Sequence, residues 1–319
     1  MRAGDVSSPA YVVSITPFSP EGSLDEAGLR AHLRRMGDAG IGVYVGGGGS
    51  GEGYTLSAAE HRRVAEIAID ELRGMVPRVP VRAMGVEPRT AAEMVDYVAA
   101  VTAAGVDAAQ IYSLDVGHAH RPSEAAVETY LTEVLERTEI PAVISTHQSV
   151  GYRVPVTLLA RLVERFDVVT GVTCSHQDLG YLAEIVDAVG ERVEVHVGGP
   201  YQALAAWALG ADGFLSSEAN LAPRLVASVA ERRRAGDADG MLAAFGTLLR
   251  LATLLYGHGG ILATKAVLGR FGLPGGVPRK PHLPVGDEPA LALAAAAAEL
   301  GVPDIEGWNG STSSRRGQG

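Results

Sequence analysis

The chain of 319 residues is almost without lysine: only Lys265 and Lys280 occur, both in the last third. Amine-based chemistry therefore has no side chain to use before Lys265. There is one cysteine, Cys174, which excludes an internal disulfide framework and fits a reducing compartment. Positive charge is also short, with 27 Lys and Arg against 37 Asp and Glu, a formal net charge of -10. That balance offers no basic face to nucleic acid or anionic lipid, and points to a small-molecule or protein partner. No apolar run approaches the length expected of a membrane span, and the start, MRAGDVSSPAYVV, lacks the basic and then apolar regions of a secretory signal. We expect a cytoplasmic protein. Residues 303–319, polar and rich in Gly and Ser, read as a flexible tail.

What is present is a regular alternation of short apolar, β-branched runs with amphipathic stretches of helical length, the pattern of parallel strands joined by crossover helices. The predicted strands are 11–16, 43–46, 79–84, 108–112, 142–146, 169–173, 193–197 and 213–216. Helical patterns lie between them. Ser57, three residues before Glu60, and Ser123, after Pro122, are placed as N-caps, while Gly40, Gly105 and Gly210 are placed as helix stops. Eight such units predict a (β/α)8 TIM barrel over residues 1–221, with an open doubly wound sheet as the weaker alternative. Residues 222–302 read as a C-terminal helical subdomain.

In such a barrel, chemistry sits at the C-terminal ends of the strands. After strand 2 runs GGGGSGEG, Gly46 to Gly53, whose amides could form a nest for carboxylate or phosphate; without a Gly-Lys-Ser/Thr ending it is no Walker loop. After strand 4 come Asp115, His118 and His120. After strand 5 stands His147, and after strand 6 come Thr173, Cys174 and His176. A thiol and imidazoles at neighbouring strand ends could form a thiolate–imidazole pair or part of a metal site, and a divalent ion held by some of His118, His120, His147, Cys174 and His176 is one expectation. Against it, a lone cysteine is more often simply a small buried residue, and loop histidines are common on surfaces. His196 reads as an interior residue and His61 as part of a solvated helix face.

Four fragments in order carry a resemblance: SITPF from Ser14 to Phe18; GGSGE from Gly48 to Glu52, followed by YTLSAAEH from Tyr54 to His61; LGADGFLSSEAN from Leu209 to Asn220, with Pro223; and TKAVL from Thr264 through LPGG at Leu273 to Gly276. Over roughly Tyr11 to Val285 the chain resembles the dihydrodipicolinate synthase and N-acetylneuraminate lyase family of class I aldolases. The resemblance implies a barrel with a C-terminal helical domain, a small 2-oxo acid or related carboxylate as ligand, and a homo-dimer or homo-tetramer. It also implies a strand 6 lysine that forms a Schiff base. Where the family has Gly-x-Lys this chain has Gly171-Val172-Thr173, and threonine cannot form an imine. The strand 5 tyrosine corresponds to Ser145 or a neighbour, and the tyrosine pair after strand 4 to Asp115 and Val116. Arg153 is close enough in sequence to replace the substrate-binding arginine. Gly49 and Ser50 hold the family's carboxylate positions, Gly198 and Leu215 its pocket wall, and Lys265 matches a lysine outside the active site.

The expectation is therefore a lyase acting on carbon–carbon or carbon–oxygen bonds with no cofactor and no imine. His147, Cys174, His176 and Asp115 would supply acid, base or nucleophile, and Gly49, Ser50, Thr173, Gly198, Leu215 and Arg153 would bind substrate. The alternatives are a catalytically silent binding or regulatory homologue, and a metal-assisted aldolase or hydro-lyase.

Overall fold

The computed structural model describes residues 7–308. Eight parallel strands close into a barrel in sequence order: β1 (Ala10–Val13), β2 (Gly42–Val45), β3 (Val81–Met84), β4 (Ala108–Ile111), β5 (Ala142–Thr146), β6 (Val169–Cys174), β7 (Glu194–Val197) and β8 (Gly213–Ser216). β8 closes on β1, with Tyr11 opposite Leu215. Each strand is buried almost throughout, because helices cover the outer face and side chains fill the inner one.

The connecting helices are α1 (Glu26–Asp38), α2 (Ala58–Leu72), α3 (Ala91–Ala104), α4 (Glu124–Leu135), α5 (Val156–Arg165), α6 (Leu179–Val189), α7 (Ala203–Leu209) and α8 (Pro223–Arg234). Local chemistry sets their ends. Ser57 and Glu60 form a reciprocal capping box at α2, and Ser123 accepts from the Ala126 amide at α4. Gly105 and Gly210 end α3 and α7 at φ 83° and 98°, a backbone state that glycine reaches without a Cβ penalty. α8 follows β8 in the same alternation and packs on β1, so the barrel's repeat runs on to Arg234 and past residue 221.

After α8 come α9 (Ala238–Tyr256), α10 (Ile261–Arg270), α11 (Asp287–Glu299) and α12 (Val302–Glu306). Two expectations are corrected here. The first concerns apolar runs: α9, 19 residues with a mean hydropathy of 1.4, is long and apolar enough to cross a membrane by length and composition. In the fold it lies along α8 with Phe245, Leu248, Leu251 and Leu255 buried. The second concerns the tail, whose first residues are not loose. Glu306 accepts hydrogen bonds from the Arg224 and Leu225 amides and so caps the first turn of α8, and Trp308 packs on Phe271 with ring centroids 4.9 Å apart. The rest of that expected tail, 309–319, lies outside the described residues.

Candidate active site

The nest loop is shaped by its glycines. A Cβ on Gly53 would lie 2.1 Å from the Gly46 carbonyl, and one on Gly51 2.8 Å from that of Gly47, so the loop folds back on itself only without side chains there. The amides of Gly48, Glu52 and Gly53 are used internally, to Gly85, Gly49 and Gly47. Among the described residues no acceptor takes those of Gly49, Ser50 and Gly51. The loop is clasped from outside the barrel. Glu52, buried and at φ 51°, meets Lys265 of α10, whose ammonium also donates to the Thr16 and Val277 carbonyls at 2.8 and 2.9 Å. All three N–H bonds of Lys265 are thereby spent on holding the loop, which leaves it no part in imine chemistry.

Side-chain alternation sorts the strand-end candidates. On β6, Thr173 faces inward beside the Tyr44 phenol, outside hydrogen-bonding geometry, and its hydroxyl has no partner. Its register neighbour on β5, Ser145, likewise has a buried hydroxyl without a partner. Cys174, the next residue on β6, faces outward. It lies with Thr146 and Tyr181 under α6, where burial pushes its thiol up. His176 packs edge-on against the same Tyr181, at 5.3 Å between ring centroids; burial and then the Arg153 charge hold it below the ordinary imidazole value. The period of two thus sends Cys174 behind the sheet, and His176 packs on Tyr181 beside it while remaining within electrostatic range of His147.

His147 takes a different partner, from the loop after β3. Its Nδ1 lies 2.7 Å from Oε1 of Glu87, and Ser149 Oγ bonds both groups. Burial pushes the Glu87 carboxyl up, but the bonds from His147 and Ser149 more than offset it and hold the group at about 2. Tyr112, just past β4, packs edge-on to His147 with ring centroids 5.6 Å apart; burial and the Glu87 charge push its phenol well up. A Cβ on Gly48 would lie 4.0 Å from the other Glu87 oxygen, so the His147–Glu87 pair borders the nest loop.

Asp115 was expected among the acid, base or nucleophilic groups. It instead accepts from the Gly117 amide at 2.9 Å and lies 3.8 Å from Arg89. Arg153 pairs with Asp178 at 2.8 Å and stacks over Tyr181. His118 and Ala119 occupy positive φ in an exposed turn. Among the described residues no group of three or more His, Cys, Asp or Glu side chains is arranged to hold a metal ion. Leu215 stands opposite inward-facing Tyr11, and Gly198 makes room for Ser175, whose Cβ would be 2.6 Å from a Cβ at that position. His61 is buried, not solvated: it packs against Tyr97 and bonds the Gly53 carbonyl at 3.0 Å, beneath the nest. Glu87 and Tyr112 are missing from the sequence-based candidates. The ends of strands 3 and 4 would have supplied them.

Below this mouth the barrel axis is filled by Arg82, which pairs with Glu194 at 2.9 Å and stacks on Tyr11. Two cavities matter for orientation. One of about 510 Å³, near Ser7, Glu194 and Asp212, opens at the N-terminal ends of the strands. The other, of about 330 Å³, lies between Gly49, Ser50, Ser217 and Glu218 on the barrel side and Tyr256 and Thr264 of α9 and α10. Position at the C-terminal ends makes the second the relevant one.

Fold and site together define a TIM barrel with a glycine-rich loop after β2 and an imidazole–carboxylate pair at the strand ends. The profile of the dihydrodipicolinate synthetase family matches residues 8–300, and the chain belongs to that family. The 4-hydroxy-tetrahydrodipicolinate synthase of Methanopyrus kandleri is 30% identical over 269 residues, covering 84% of this chain and 87% of that one. The dihydrodipicolinate synthase of Aquifex aeolicus superposes with a TM-score of 0.84 at 24% identity, over 93% of this chain and 99% of that one. An N-acetylneuraminate lyase from Mycoplasma synoviae does so with a TM-score of 0.78 at 18% identity, over 91% and 97%. These two structures share the fold.

Proposed function

We propose that the protein is a lyase-like enzyme of this family that acts on a small 2-oxo acid or related carboxylate without a lysine Schiff base. The observation that carries this reading is the contact of His147 with Glu87. A carboxylate on Nδ1 favours the tautomer that donates there, which leaves Nε2 as the basic nitrogen facing a ligand. In this mechanism the substrate carboxylate rests on the free amides of Gly49 to Gly51. Nε2 of His147 removes a proton from the carbon beside the oxo group, and the electron pair moves onto the oxo oxygen as an enolate. The buried, unpartnered hydroxyls of Thr173 and Ser145 donate to that oxygen, in place of an imine as electron sink. The two strands put them about 5 Å apart, and His147 stands two residues above Ser145, roughly 7 Å along the strand. The enolate then either adds to a carbonyl acceptor or expels a leaving group. Assembly as a homo-dimer or homo-tetramer belongs to the same proposal.

The test is exchange in deuterium oxide. Proton NMR of a panel of 2-oxo acids should show enzyme-dependent loss of the signals beside the oxo group. His147→Ala should slow it by about 100-fold or more, the scale of a lost general base. Equal exchange by the variant would refute the role of His147.

A further inference from the structure

The cavity between the nest and α9–α10 contains a carboxyl group that the mechanism above does not use. Glu218, just after β8, is 1% exposed. Its Oε2 accepts from Ser216 at 2.6 Å, and its Oε1 is buried without any partner. Among the described residues no Lys, Arg or His lines the cavity, and Tyr256 is the one other titratable group there, with Tyr201 beyond it at 6.4 Å between ring centroids. The Ser50 hydroxyl donates to Ser217 at 2.7 Å. The hydroxyls of Ser217 and Tyr256 also line the cavity; what it lacks is positive charge to meet the buried Glu218 carboxyl. A buried carboxyl in that state is held up by desolvation, as the raised value of Glu218 reflects.

We propose that this cavity is an ammonium subsite, in which Glu218 receives the amino group of a small aliphatic ligand. An ammonium brings three donors, no acceptor, and the missing counter-charge. A hard divalent ion would need six or more oxygens and more than one carboxylate, which the cavity does not provide. Leu255 and Ile261 supply apolar wall for a short carbon chain. Since Gly49 and Ser50 belong both to the nest and to this cavity, the substrate class becomes a carboxylate that also carries an amine. That extension to the substrate rests on the nest being the carboxylate site; the subsite itself does not. On binding, the Glu218 carboxylate pairs with the ammonium.

The experiment is titration calorimetry with propylamine and 1-propanol at pH 7. Expected are an affinity for the amine at least about tenfold above that for the alcohol, and loss of the preference in Glu218→Gln. The amine preference should persist in His147→Ala. Equal affinities for the two probes, or an unchanged amine affinity in Glu218→Gln, would overturn the subsite. Because the first comparison uses the unaltered protein, misfolding of a variant cannot mask the outcome. Amine binding without 2-oxo acid exchange would leave the subsite standing and remove the proposed reaction; exchange without amine preference would do the reverse.

Discussion

Replacing His147 by Ala should make the stability deficit of the variant depend on pH in one direction. Glu87 is held at about 2 against an ordinary 4.5, with His147 the larger of its two side-chain hydrogen-bonding partners. At about 1.4 kcal/mol per unit, the whole depression is worth about 3 kcal/mol. Ser149 also bonds the carboxylate, so removing the imidazole should forfeit about 1 to 2 kcal/mol of it. The folded value lies below the unfolded one. The contribution is therefore complete above about pH 4.5 and is lost as pH falls through the range down to about 2. Urea denaturation of wild type and His147→Ala should show the largest stability gap near neutral pH, narrowing below pH 4.5. A gap that stays constant or widens on acidification would show that Glu87 does not depend on His147.

Other outcomes follow from the same contacts. Lys265→Met should destabilise the protein by about 3 to 5 kcal/mol in denaturant titration, because it leaves the Glu52 carboxylate buried without its cation. Adding Glu52→Gln should recover part of that loss, and failure to do so would separate the two groups. Cys174→Ala should leave deuterium exchange of 2-oxo acids within about twofold of wild type while costing about 1 kcal/mol of stability, as expected for a small group packed behind the sheet. A large loss of exchange would return the thiol to the site.

The fold was legible because hydrophobic period and strand-end position are local properties. All eight strands occur within three residues of the expected bounds at each end, and the glycine stops and serine caps do their work within one turn. The site was half legible. Sequence places His147, Thr173 and the nest at strand ends, but the partner of His147 comes from the loop after β3, 60 residues earlier, and only the closing of the barrel brings Glu87 to it. Adjacency in sequence groups Cys174 with Thr173, while alternation along β6 puts the two on opposite faces. The first turn of the apparent tail, finally, was hidden because its order depends on α8, about 80 residues away, whose amides Glu306 caps.

The central claim is that this barrel handles an oxo group without an imine. Incubation with pyruvate and sodium borohydride, followed by intact-protein mass spectrometry, tests it directly. The account predicts an unchanged mass. A stable adduct on Lys265 or Lys280 would contradict it.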